Sequence, residues 1–108
     1  MELAEYLKFT DTTAIYPRAG TGEPIELNYL TLGLVSEAGE VAGKVKKKIR
    51  DGAWEVEAVA DEIADVFWYL VRLCAAIGYT PEDILQMNAD KLASRKARGT
   101  LSGSGDAR

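Results

Sequence analysis

Two pairs of acidic residues are the feature of this sequence whose types and spacing suit chemistry. Glu37 and Glu40 are three residues apart, and Glu62 and Asp65 repeat that spacing further along the chain. On a helix, residues three apart project from the same face, so two antiparallel helices would bring the four carboxylates together. Because hard, oxygen-rich sites favour Mg²⁺ or Mn²⁺ over zinc or copper, a divalent metal site is one interpretation of the two pairs.

Glu37 also interrupts an apolar pattern. Its segment carries an apolar stripe at helical spacing, made of Leu30, Leu34, Val41 and Val45. Glu37 falls in the middle of that stripe, where an unpaired buried carboxylate would be costly, so it is expected to be exposed, paired or bound to a metal. A salt-bridge network, in which Lys44 and Lys48 neutralise Glu37 and Glu40, is the competing interpretation. Spacing alone leaves the metal site and the network open.

The second acid pair lies on a segment with its own apolar stripe. This stripe also has helical spacing and consists of Val56, Val59, Ile63, Phe67, Leu70, Cys74 and Ile77. Glu62 flanks the stripe and Asp65 lies one turn further along, so each long segment presents one acid pair. The single cysteine, Cys74, lies within the apolar pattern and is expected to be a small packed residue without a chemical role.

Composition narrows the possible chemistry. The 108 residues include no histidine, which excludes Ser-His and Cys-His nucleophilic catalysis and zinc sites built on imidazole. The formal net charge of −4 argues against a general nucleic-acid-binding surface. No apolar run approaches the ~20 residues that span a bilayer, and the first residues lack the pattern of a secretion signal. A cytoplasmic protein with neither a nucleic-acid nor a membrane partner is therefore expected.

Helical periodicity dominates the chain and no strand alternation is evident, so we predict an all-α fold of four helices joined by short loops. The helices are predicted over about residues 2–13, 25–50, 53–77 and 81–98. Gly52 is expected to end the second helix, and Thr80 to cap the fourth. Residues 1–99 form one predicted domain, small enough for self-association to be expected. Residues 100–108, called the tail below, are small and polar and are expected to be flexible.

One face of the fourth predicted helix is unusually polar for a packing surface. Beside Ile84 it carries an amide and three cations in one narrow strip: Asn88, Lys91, Arg95 and Arg98. Cations in the last turns of a helix interact favourably with its dipole, and for Arg98 alone this explanation is preferred. Arg binds phosphate through two donors and Lys supplies a point charge, so the strip is also suited to phosphate oxygens.

The order of these elements resembles a known family. The segment Leu32–Lys44, followed by Asp61–Val66, resembles the Glu-x-x-Glu … Glu-x-x-Asp signature of the MazG-like nucleotide pyrophosphohydrolases. The resemblance extends to Tyr69, four residues after Asp65, and to the element Lys91-Leu92-x-x-Arg95. It covers most of the second, third and fourth predicted helices.

The resemblance implies a four-helix bundle-like protomer that assembles as a homodimer or a dimer of dimers. It implies hydrolysis of nucleoside triphosphates between the α and β phosphates, with release of a monophosphate and pyrophosphate. The implied ligands of Mg²⁺, for which Mn²⁺ can substitute, are Glu37, Glu40, Glu62 and Asp65. One of Glu37 and Glu40 would be the general base. The implied substrate contacts are Lys44, Tyr69, Asn88, Lys91 and Arg95.

Two other functions stay open at this point. Within the same superfamily the chain could be a phosphoribosyl-ATP pyrophosphohydrolase, although residues 29–50 look more MazG-like. From another class, it could be a non-catalytic helical oligomer or regulatory subunit whose carboxylates form a salt-bridge network. For recognition of a base, Tyr16 and Pro17 in the first loop are stacking candidates. Trp54 and Trp68 are better suited to packing.

Overall fold

The computed structural model describes residues 1–108 and contains four α-helices and no β-strand. The helices are α1 (Leu3–Thr13), α2 (Pro24–Asp51), α3 (Val56–Ala76) and α4 (Pro81–Arg98). The predicted all-α class is confirmed. The predicted helix ends fall close to the observed ones, and the largest difference is at the start of α3.

Local sequence signals set the helix ends. Pro81 begins α4, at a position where its missing N–H needs no partner. Thr80 caps α4 in a capping box: its hydroxyl accepts from the Asp83 N–H at 3.1 Å, and the Asp83 carboxylate accepts from the Thr80 N–H at 3.3 Å. Gly52 ends α2 with a φ of 73° and donates its N–H to the Lys48 carbonyl at 2.8 Å. The roles predicted for Thr80 and Gly52 are confirmed.

α2 and α3 form the antiparallel pair at the centre of the fold. Their contacts run in opposite directions along the two helices, because Gly33 meets Tyr69 while Glu37, one turn later, meets Asp65. At Gly33 the Tyr69 ring lies against the backbone of α2 and leaves no room for a side chain, since a Cβ there would lie 2.1 Å from Cε1 of Tyr69. Leu30, one turn before Gly33, is fully buried. The Gly33 contact therefore sets the separation of the two helices beside the acid pairs.

The loop between α1 and α2 closes onto a buried carboxylate. Glu26 is fully buried. Its carboxylate accepts from the Tyr16 hydroxyl at 2.6 Å and from the N–H groups of Gly20 and Gly22 at 2.6 and 2.8 Å. Burial alone would raise the pKa of Glu26, but these hydrogen bonds and the nearby Arg72 outweigh it, and the pKa falls below its ordinary 4.5. Tyr16 is itself buried, so its ring offers no surface to a base in this chain.

The apolar stripe predicted on α3 is not buried within the chain. Val59 is its one buried member, and five others are each more than 40% exposed: Val56, Ile63, Phe67, Leu70 and Ile77. The face that α3 turns toward α2 carries Glu62 and Tyr69 instead. Because α3 has apolar residues around most of its circumference, its periodicity identifies a helix without identifying the side that meets α2.

The accessible surface is large for a chain of this size. It amounts to 7,522 Å², whereas a folded monomer of the same mass exposes about 5,900 Å². The excess of about 1,600 Å² is about twice the area that one partner loses in a standard protein–protein interface, and it includes the exposed apolar stripe of α3.

α4 stands apart from α2. It follows α3 after a bend of 96° and packs on α1 and α3, whereas no Cα atom of α4 lies within 8 Å of one in α2. The single chain therefore lacks one of the contacts that would close a four-helix bundle. No single helix is long and apolar enough to cross a membrane, although α3 and α4 taken together as a bent pair meet that criterion by length and composition.

Candidate metal centre

Three carboxylates from α2 and α3 meet at one place between the two helices. One oxygen each from Glu37, Glu62 and Asp65 lies within 4.8 Å of the others. Glu37 and Glu62 are half-buried and Asp65 is exposed, so the group opens to solvent on one side. The antiparallel pairing brings about this meeting, because it places Glu37 of α2 level with Glu62 and Asp65 of α3.

The electrostatics of this group favour a cation. Burial raises the pKa of Glu37, and repulsion from Asp65, Glu62 and Glu40 raises it further, as does a hydrogen bond to Glu62. No lysine or arginine forms an ion pair with any of the four acids, since all ion pairs in the structure lie elsewhere. A hard divalent cation would relieve the repulsion, and clustered carboxylate oxygens are the donors it prefers. The residues present therefore fit Mg²⁺ or Mn²⁺.

Glu40 lies outside the group of three. Its side chain is exposed and its oxygens do not join the mutual contact, although its charge contributes to the raised pKa of Glu37. The structure therefore places Glu40 beside the candidate metal centre, and its part in binding the ion stays a prediction.

The alternative salt-bridge network is not formed. Lys48 turns away from the acids, and its Nζ lies 4.6 Å from the centre of the Trp54 ring, in a cation–π contact. Lys44 lines a shallow pocket with Lys47 and Trp54 near the end of α2 and forms no ion pair. The hypothesis that Lys44 and Lys48 neutralise the acids is therefore wrong for this structure, while a substrate contact by Lys44 stays a prediction.

Tyr69 borders the candidate metal centre. Its ring lies on Gly33, one turn from Glu37, and makes an edge contact with Trp68 at 5.0 Å between ring centres. Burial raises the pKa of the Tyr69 hydroxyl first, then interaction with Tyr29, then the charges of Glu37 and Asp65. The side chain is thus within electrostatic reach of the carboxylates, while its contact with substrate stays a prediction.

A second charged group, made of Glu26 on α2 and Arg72 on α3, was not predicted from the sequence. The guanidinium of Arg72 is buried in α3 and donates to the Thr10 hydroxyl at 3.2 Å and to the Asp11 carboxylate. Opposite it lies Glu26, which occupies the same face of α2 as Leu30 and Glu37. The signal was weak, because Glu26 lies one turn before the stripe begins at Leu30, whereas Glu37 interrupts the stripe. The first acid is satisfied by loop hydrogen bonds, whereas the second has no such donors.

The single chain does not bring the candidate phosphate contacts of α4 to the candidate metal centre. Asn88 is exposed on α4, which does not approach α2. Lys91 and Arg95 face the tail, where Asp106 lies within 3.9 Å of the Lys91 Nζ and 3.7 Å of the Arg95 guanidinium. Substrate contacts by these α4 residues stay predictions. So does the flexibility of the tail, which lies folded against α4 in this structure.

Comparison with known proteins identifies the class. The MazG nucleotide pyrophosphohydrolase domain matches residues 26–99, which include α3, α4 and nearly all of α2. The chain therefore belongs to the MazG nucleotide pyrophosphohydrolase family, and the resemblance seen in the sequence is confirmed. This family of hydrolases is typically metal-dependent, which agrees with the acidic group between α2 and α3.

A viral protein is a near relative. The gene 37 protein of Mycobacterium phage L5 is 48% identical over 102 residues, which cover 89% of this chain and 90% of that protein. The similarity thus extends beyond the matched domain at one end or both. No solved structure matches the chain significantly.

Proposed function

We propose that this protein is an Mg²⁺-dependent nucleoside triphosphate pyrophosphohydrolase that converts ribo- or deoxynucleoside triphosphates to the monophosphate and pyrophosphate. One observation carries the proposal: within the region that matches the MazG domain, α2 and α3 juxtapose Glu37, Glu62 and Asp65. Mn²⁺ is proposed to substitute for Mg²⁺, since both accept carboxylate oxygens. Cleaning of the cytoplasmic nucleotide pool is the proposed role.

The acidic residues have two proposed roles, metal binding and general-base catalysis. Glu37, Glu62 and Asp65 hold the ion, and Glu40 is added as a fourth ligand. A bound Mg²⁺ would supply a charge sink for phosphate oxygens and would make water easier to deprotonate. Water adds to the α phosphorus, the bond to the bridging oxygen breaks, and pyrophosphate leaves. The proton of that water passes to a carboxylate, either Glu37 or Glu40. The exposed position of Glu40 favours it as the base, because Glu37 is enclosed by the two acids of α3.

The proposed contacts between α4 and the triphosphate require more than one copy of the chain. Lys44 and Tyr69 lie on the helices that carry the acids, but the α4 residues do not reach them within one protomer. We propose that Asn88, Lys91 and Arg95 contact the triphosphate in a homodimer or homotetramer. The large accessible surface and the exposed apolar stripe of α3 support self-association, because contiguous exposed apolar residues on a small chain mark an interface.

An activity assay with matched variants tests the proposal. The purified protein is incubated with a panel of nucleoside triphosphates and Mg²⁺, and the products are separated; monophosphate and pyrophosphate are expected. Glu62→Gln should abolish turnover while the helical circular dichroism stays unchanged. Asp61→Asn is the control, since Asp61 is an exposed acid next to Glu62 that lies outside the carboxylate group. Release of inorganic phosphate in place of pyrophosphate would contradict the assigned bond, and wild-type turnover by Glu62→Gln would contradict the metal site.

The same assay separates the alternatives. Turnover of phosphoribosyl-ATP with none of the triphosphates would identify the other enzyme of the superfamily. Absence of turnover on every nucleotide, with Glu62→Gln less stable than the wild type, would identify a non-catalytic protein whose carboxylates form a salt-bridge network. The absence of ion pairs to the four acids argues against the latter, because that hypothesis relied on a neutralising network.

A further inference from the structure

The tail folds back over the cationic face of α4. The backbone carbonyl of Asp106 accepts from the Arg95 guanidinium at 2.6 Å. The Asp106 carboxylate lies 3.7 Å from the same guanidinium and 3.9 Å from the Lys91 ammonium. One residue of the tail thus occupies both cations that α4 offers to phosphate.

Arg108 holds the tail in this conformation. Its guanidinium donates to three carbonyls of the same segment, at 3.2 Å to Thr100, 3.1 Å to Leu101 and 2.7 Å to Gly105. These bonds close the segment into a loop, and the Arg108 carbonyl accepts in addition from the Arg98 guanidinium of α4 at 2.9 Å. The position of Asp106 over α4 is therefore a property of the folded loop and depends on Arg108.

The tail leaves Arg95 incompletely satisfied. The Arg95 side chain is 4% exposed, and its Nε is buried without a hydrogen-bond partner. A buried donor without a partner destabilises the conformation that contains it. A backbone carbonyl presents one oxygen to the guanidinium, whereas a phosphate presents several and accepts from two N–H groups at once. A phosphate group would therefore satisfy Arg95 better than the tail does.

We propose that the tail is an internal competitor for phosphate at Lys91 and Arg95, which a pyrophosphate or triphosphate group displaces when it binds. This inference rests on the proposed function, in which these two residues contact the triphosphate. The tail lowers the affinity of the free protein for anions by the fraction of molecules in which it is docked.

Calorimetric titration with inorganic pyrophosphate tests the competition. The full chain is titrated in EDTA at low salt, so that the carboxylate group and its metal do not contribute. Arg108→Ala should release the tail and bind pyrophosphate roughly tenfold more tightly, on the order of one lost charge-assisted hydrogen bond. Asp106→Asn should gain only about twofold, because the Asp106 carboxylate is exposed and its two ion pairs are long. Ser104→Ala, at an exposed position of the tail without a hydrogen bond, is the matched control.

The direction of the Arg108 effect makes the experiment decisive. Removal of a cation would by itself weaken the binding of an anion, so a gain in affinity reports the release of the tail. Unchanged or weaker binding by Arg108→Ala, with Arg95→Ala losing affinity, would overturn the competition and leave the proposed phosphate contact intact. If Arg95→Ala bound pyrophosphate as the wild type does, both the phosphate role of Arg95 and the competition would be wrong. Hydrolysis by the wild-type enzyme is measured separately and would stand in either case.

Discussion

The close approach of α2 and α3 at Gly33 gives the sharpest prediction of the structure. In Gly33→Ala the new Cβ would lie 2.1 Å from Cε1 and 2.4 Å from Cζ of Tyr69, whereas carbon atoms normally pack at about 3.5–4.0 Å. The Tyr69 ring or the whole of α3 must therefore move by more than about 1 Å. Such overpacking costs about 1–3 kcal/mol, against a gain of about 1 kcal/mol from alanine in a helix.

Gly43 supplies a matched control on the same helix. A Cβ at Gly43 would meet nothing within 4 Å, so Gly43→Ala should gain the helix propensity without a clash. Urea unfolding at one fixed protein concentration should therefore place Gly33→Ala about 1–3 kcal/mol below Gly43→Ala. The three atoms nearest to that Cβ all belong to the Tyr69 ring, so the difference should shrink strongly when Tyr69 is also replaced by alanine. Metal affinity should fall in Gly33→Ala, because Glu37 lies one turn along the same helix.

Three outcomes would contradict a clash between Gly33→Ala and Tyr69 beside the carboxylate group. If Gly33→Ala were as stable as Gly43→Ala, the two helices would not be in contact at this position. If the difference persisted without the Tyr69 ring, the clash would lie elsewhere. A stability difference without any change in Mn²⁺ affinity would show that the helix separation and the carboxylate group are independent.

Three further predictions follow from the buried acid, the carboxylate group and the exposed stripe. Glu26→Gln should lower the free energy of unfolding by about 1.5–3 kcal/mol at neutral pH, as expected for a buried charged hydrogen-bond acceptor. The pKa of Glu26 is lower in the folded state than its ordinary 4.5. The stability difference between the wild type and Glu26→Gln should therefore be complete above pH 4.5 and should shrink as the pH falls below it. Urea titrations at several pH values would measure this dependence. Asp65→Asn should weaken Mn²⁺ binding at least tenfold in an equilibrium titration while Asp61→Asn does not, on the order of a lost ligand charge. Phe67→Asp, in the exposed stripe of α3, should shift the protein to a smaller species in sedimentation velocity without loss of helix content; an unchanged species would place the interface elsewhere.

The helices and their ends were accessible from the sequence because they depend on local signals. Thr80, Pro81 and Gly52 act through their own backbone groups and immediate neighbours, and their effects do not depend on what packs above them. Glu37 was identified for a similar reason. Its stripe belongs to one helix, so the mismatch between an acid and its apolar neighbours is visible without a tertiary structure.

The orientation of α3 and the surroundings of α4 were not accessible in this way. An apolar stripe on a small chain packs either inside that chain or against a second copy, and periodicity is the same in both cases. The hydrogen bonding of the buried Glu26 carboxylate depends on two glycine N–H groups in a loop, and no spacing rule predicts these contacts. The position of Asp106 over Lys91 and Arg95 depends on a loop closed by Arg108. These features arise from contacts between segments that are distant in the sequence, and local sequence patterns do not predict such contacts.

The burial of Glu26 has a consequence for how the chain opens and closes. A carboxylate without its three donors would be highly unfavourable in that position, so the loop cannot detach while the first turn of α2 stays packed. Loop and helix therefore form one cooperative unit, although loops usually fluctuate independently of the elements they connect. Amide hydrogen exchange at Gly20 and Gly22 should be as slow as in the first turns of α2. The buried Glu26 carboxylate thus couples the unfolding of the loop to the unfolding of the first turn of α2.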